Sequence, residues 1–250
     1  GTVAVGHNAG QAITSGAGNV AIGYGALKEN VDGDSNIAIG YGAMDSQQAG
    51  GTQTTSDGSS NNLAIGRDSM GGAWANVVSE YNVAVGNYTL AGALNGANSC
   101  IAIGHNSMNV HTTGGYNIAI GHGAMDDTDA GSTSLGSIRN LFIGNAAGGG
   151  TWANAASNFN IGIGDYSMTS AMNGALYNIG MGNSALQQLT TGDYNLAIGV
   201  DAMKTHTTGS NNIAIGSGAM DDTDAGSTSL GSEHNIFIGL DSGGGTWTNV

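Results

Sequence analysis

With 250 residues, 46 Gly, no Pro, 9% charged and 6% aromatic side chains, the chain lies far from an ordinary globular domain, and something other than a conventional core must organise it. Four Lys and Arg against 18 Asp and Glu give a net charge of -14, which repels phosphate backbones and anionic headgroups and speaks against nucleic acid or a membrane surface as partner. A single Cys, Cys100, excludes an intrachain disulfide framework, and no apolar run nears the roughly 20 residues of a membrane span.

Read from its start, the chain repeats one motif: Asn, an aliphatic residue, a small residue, a second aliphatic residue, Gly, two variable positions, Ala or Ser, then Met or Leu. The motif glycines are Gly6, Gly23, Gly40, Gly66, Gly86, Gly104, Gly121, Gly144, Gly164, Gly182, Gly199, Gly216 and Gly239. These 13 copies are separated by 17, 17, 26, 20, 18, 17, 23, 20, 18, 17, 17 and 23 residues, so that each long gap resets a descending series. The spacing defines blocks of about 1–65, 66–143, 144–238 and a partial 239–250 within one repeat domain, 1–250, whose abrupt start and finish suggest a piece of a longer fibre.

Each copy carries a run such as Ile118, Ala119, Ile120, too short for a helix and suited to a strand closed by a Gly turn. One strand, one turn and one polar loop per unit predict an all-β fold, a parallel β-solenoid of about 13 coils with loop insertions, stacked at about 4.8 Å. Absence of Pro agrees, because stacked coils need their N–H groups. The Asn opening most copies (Asn19, Asn36, Asn62, Asn82, Asn117, Asn140, Asn160, Asn178, Asn195, Asn212, Asn235) is expected to take left-handed backbone at a corner and to stack its amides in a ladder; Thr2 and Cys100 are the exceptions.

Both faces of each strand are apolar. The small position holds nine Ala, two Gly and two Phe, and a polar residue never appears there. One face should fill the coil, and the small-residue face is expected to meet another surface at close range along an oligomer interface, with a loop of the same chain as the alternative. Where Phe142 and Phe237 replace the small residue, Gly148 and Gly243 replace the Met or Leu of the same coil, which predicts that the two positions share one space.

Tandem units of the form N-[IV]-AIG-x-x-[AS] resemble the head repeats of YadA-type trimeric autotransporter adhesins and, equally, repeats in the trimeric tail fibres of bacteriophages. The resemblance covers residues 2–243. It implies a left-handed β-roll and a side-by-side homotrimer outside the cell, on a virion tail fibre or a bacterial surface. Its units are longer and less uniform than those of the family heads, so the collagen binding of some heads does not carry over.

Catalytic signatures are missing from the sequence: the G-x-G pairs belong to the repeat and precede no helix, and neither G-x-S-x-G nor H-E-x-x-H occurs. No enzyme activity and no cofactor are expected. The acidic insertion MDDTDAGSTSLGS occurs twice, bringing Asp126, Asp127, Asp129 and Asp221, Asp222, Asp224 with Ser and Thr oxygens around a Gly turn; this is either a solvated loop or a Ca²⁺ ligand set lacking the closing Glu of an EF-hand. Trp74, Trp152 and Trp247 each stand eight residues beyond a motif Gly, as packing wedges or as platforms for a sugar ring. His105 and His122 follow the motif Gly in successive coils and would stack close enough to share a metal, although two nitrogens are fewer than a strong site needs. The sequence reading is therefore a structural and adhesive fibre segment whose loops bind a cell-surface glycan or protein. A glycan depolymerase on the same scaffold is the alternative, with the acidic loops as the place for its paired carboxylates.

Overall fold

A computed structural model describes residues 1–45, 58–74, 77–128, 136–152, 155–221 and 232–245. The chain is all-β, a parallel β-solenoid, and among the described residues none is helical. It falls into two compact units, Gly1–Asp126 and Asp127–Val250. In the first, β1 (Val3–Val5), β2 (Val20–Ile22), β3 (Ile37–Ile39), β4 (Leu63–Ile65), β5 (Val83–Val85), β6 (Ile101–Ile103) and β7 (Ile118–Ile120) pair in sequence order, parallel and in register. In the second, β8 (Leu141–Ile143), β9 (Ile161–Ile163), β10 (Ile179–Met181), β11 (Leu196–Ile198), β12 (Ile213–Ile215) and β13 (Ile236–Ile238) do the same. The 26 residues from Ile37 to Leu63 leave this register untouched, so the insertion is absorbed outside the strands.

Backbone bonding runs from coil to coil well beyond the strands. Gly23 and Gly25 donate to Val5 and His7 in the preceding coil, while Val20 and Leu27 donate to Asn36 and Ala43 in the following one, at 2.8–3.0 Å. The motif Gly is required twice over. Its φ lies between +127° and +144°, and a Cβ on Gly164, for example, would stand 2.4 Å from the Gly182 carbonyl oxygen.

The Asn ladder forms, with a change of conformation. Asn160 donates its backbone N–H and Nδ2 to Asn140 Oδ1 at 2.9 and 3.2 Å, sends Nδ2 also to the Ala175 carbonyl at 2.8 Å, and accepts the same pair from Asn178 at 3.0 Å. These amides are buried, so their worth lies in leaving no polar group unpaired. The ladder asparagines do not take left-handed backbone, contrary to expectation; the preceding residue does, as at Ser35 (φ +56°), Tyr81 (φ +60°) and Tyr177 (φ +58°). That residue turns the corner so that the Asn enters the strand with its amide directed inward. At Cys100 the thiol occupies the ladder position and reaches the Gly114 carbonyl at 3.5 Å, the carbonyl 14 residues on that Asn178 and Asn195 reach in their own coils; His111 Nε2, as the protonated nitrogen, donates to the same carbonyl at 3.0 Å.

The strand faces are the reverse of the sequence expectation. Among the Ala of the small position, those from Ala21 to Ala214 are fully buried with the Met and Leu of their coils, whereas the flanking Ile, Val and Leu point outward. A 17-residue coil encloses little volume, and Met or Leu already occupies it from the opposite wall; only a small side chain fits beside it. The paired exchange is explained by the same crowding. A Cβ on Gly148 would stand 2.8 Å from Phe142 Cγ, and one on Gly243 would stand 2.6 Å from Phe237 Cδ1. Phe142 also overhangs the next coil, where a Cβ on Gly162 would stand 2.5 Å from its Cδ1. The unusual Gly of β9 is thus a third member of the exchange.

Candidate functional site

Trp74 and Trp152 are each 2% exposed and lie inside their coils. The platform role is corrected accordingly: no indole face of either meets solvent for a sugar to stack on, and both act as packing wedges. Trp74 donates Nε1–H to the Met70 carbonyl at 3.1 Å. Trp152 stands edge-on to Phe142, ring centroids 5.8 Å apart, and its Nε1 has no partner among the described residues. Trp247 lies outside the described residues, as do Asp129, Asp222 and Asp224.

Asp126, Asp127 and Asp221 are half-buried at the roots of the acidic insertions. Asp127 is tied to the Trp152 segment, accepting Thr151 Oγ1–H on Oδ2 at 3.2 Å and the Trp152 N–H on its carbonyl at 3.4 Å. The Asp221 carbonyl accepts both the backbone N–H and the hydroxyl of Thr205. The base of each insertion is therefore pinned to the scaffold through its backbone carbonyl, and the first also through the Asp127 carboxylate. Among the described residues no three His, Cys, Asp or Glu side chains gather around a point that could hold a metal.

His105 and His122 are exposed and stacked, centroids 5.3 Å apart and planes 4° from parallel. Ring nitrogens carry their lone pairs in the ring plane, so two parallel rings do not aim at one ion between them. They belong instead to a longer column. The residue after the motif Gly stacks ring on ring through His7, Tyr24 and Tyr41, at 5.2 and 5.1 Å. Arg67 then lies between Tyr41 and Tyr88, its guanidinium carbon 5.8 and 5.6 Å from the two ring centroids, and Tyr88 leads to His105 and His122. Seven side chains from seven coils thus form one continuous stripe along the first unit.

The second unit places its rings elsewhere. There the residue before the Asn carries them: Arg139 over Phe159 at 5.6 Å, Phe159 on Tyr177 at 4.7 Å and Tyr177 on Tyr194 at 5.0 Å. The first column follows each strand by two residues, except that Tyr88 follows Val85 by three, and the second precedes each strand by two. Between these positions runs the outward aliphatic face, with Ile22, Ile37, Ile65, Ile103 and Met181 each 36–40% exposed despite stacked neighbours. Beyond the His105 and His122 pair, the first column is legible at the position after each motif Gly, with Tyr88 one residue further on, and the second at the position before each strand's Asn.

Comparison with family models, with curated proteins and with solved structures gives no match. The class of molecule rests on the fold alone, a parallel β-solenoid.

Proposed function

We propose that the chain is a structural and adhesive fibre segment, three copies side by side, displayed on a virion tail fibre or a bacterial surface, that holds a cell-surface glycan or protein and performs no chemistry on it. The observation that carries the reading is the outward aliphatic face. Every coil turns two large apolar side chains outward, and within each unit they make an apolar strip of a kind that soluble chains ordinarily cover. Covering it with further copies of the same chain removes the apolar surface from water and multiplies every loop threefold, which converts weak single contacts into avidity.

The left-handed roll and the trimer follow from the resemblance to YadA-type heads and phage fibres; the outward face supports an assembly of copies in either case. Corner residues and insertions on a hydrogen-bonded scaffold are suited to recognition because coil-to-coil bonding fixes their positions. Incubation of the full chain with bacterial cells or isolated envelopes tests this reading: saturable binding is expected without release of soluble sugar. Generation of reducing ends from envelope polysaccharide would replace it with the depolymerase reading.

A further inference from the structure

We propose that the column His7, Tyr24, Tyr41, Arg67, Tyr88, His105 and His122 is a binding stripe for an acidic polysaccharide, a linear glycan bearing carboxylates. The inference rests on the adhesive reading and names the class of its ligand.

Charge distribution is the first support. The whole chain has four Lys and Arg and six His against 18 Asp and Glu, yet one Arg and three His lie in this single file. The carboxylate touching the column is that of Asp68, 3.2 Å from Arg67 Nε, and this ion pair is open to solvent. The guanidinium's remaining N–H groups are available to a ligand, because Arg67 is 60% exposed at its side chain. A cation-bearing stripe on a strongly acidic molecule marks where a polyanion approaches with least repulsion.

Ring geometry supplies the second support and selects the ligand. His7, Tyr24 and Tyr41 are within 9° of parallel, as are His105 and His122, so their faces are occupied by one another and their edges point to solvent. Neutral glycans and single-stranded nucleic acids both use free aromatic faces, for sugar stacking and base stacking respectively. Edges offer phenol hydroxyls and imidazole N–H groups at a regular spacing close to 5 Å, suited to hydrogen bonding along a chain rich in hydroxyls and carboxylates. Nucleic acid is further opposed by the net charge of -14.

The test uses the full chain, with polygalacturonate as acidic probe, its fully methyl-esterified form as neutral probe and a single-stranded oligonucleotide as the competing polyanion. The expected result is binding of polygalacturonate alone, lost progressively with added salt. The triple variant Arg67→Gln, His105→Gln, His122→Gln should bind about tenfold more weakly, whereas Lys204→Gln, which removes a cation of the second unit paired with Asp201, should bind as the parent does. Arg67, His105 and His122 are exposed and Lys204 is half-buried, and unchanged circular dichroism confirms intact folding. Equal loss in the Lys204 variant, equal binding of the esterified probe, or equal binding of the oligonucleotide each overturns the inference. Cell binding that survives the triple variant also overturns it while leaving the adhesive reading in place; absence of cell binding by the parent chain overturns that reading instead.

Discussion

The coils of Gly66 and Gly144 start from the same repeat and carry the same Trp eight residues on, yet they fill their interiors differently. The first uses Ala64, Met70 and Trp74, with Ala84 in the strand that follows; the second uses Phe142, Gly148 and Trp152, with Gly162 there. Gly148 and Met70 share left-handed backbone, at φ +65° and +51°, so the difference is one of volume and not of chain path. What the coil conserves is filled space, and side chains at several positions trade it among themselves. The trade has a cost at the Trp: the first coil satisfies its indole N–H through Met70, while the edge-on Phe142 accompanies a Trp152 N–H without a partner among the described residues.

The largest effects come from breaking the second coil's arrangement. Phe142→Ala empties a fully buried site and is expected to cost about 3–5 kcal/mol in urea unfolding. Adding Gly148→Met and Gly162→Ala rebuilds the first coil's set, and this triple variant should recover most of that loss; a triple no more stable than Phe142→Ala would contradict the shared-volume account. Gly162→Ala alone forces a Cβ against the Phe142 ring and should cost about 1–3 kcal/mol. The smallest effect separates the indoles: Trp74→Phe loses a buried hydrogen bond worth about 1 kcal/mol that Trp152→Phe does not, so the former should lower the thermal midpoint further.

Much of this was legible in the sequence. Thirteen strands, their parallel stacking, the Asn ladder and the Phe and Gly exchange all follow from registered spacing and volume. The facing of the strands did not follow, because Ile118, Ala119 and Ile120 are apolar on both sides and hydrophobicity cannot choose between them. Volume could have chosen: a small position that trades space with Met in its own coil has to point into that coil. Propensity alone favours left-handed backbone at the Asn, but the residue before it, whether Ser35, Tyr81 or Tyr177, carries the turn under the constraint of neighbouring coils. The Trp role was open in the sequence because ring burial depends on the chain path beyond the glycines. The ring columns are hidden in the linear sequence because their partners lie 17 to 26 residues apart and only register aligns them.

Sedimentation equilibrium of the full chain measures the central claim, that the outward aliphatic face is covered by copies of the same chain. The account predicts a mass three times 24.7 kDa that persists on dilution, and a single-chain mass would contradict it.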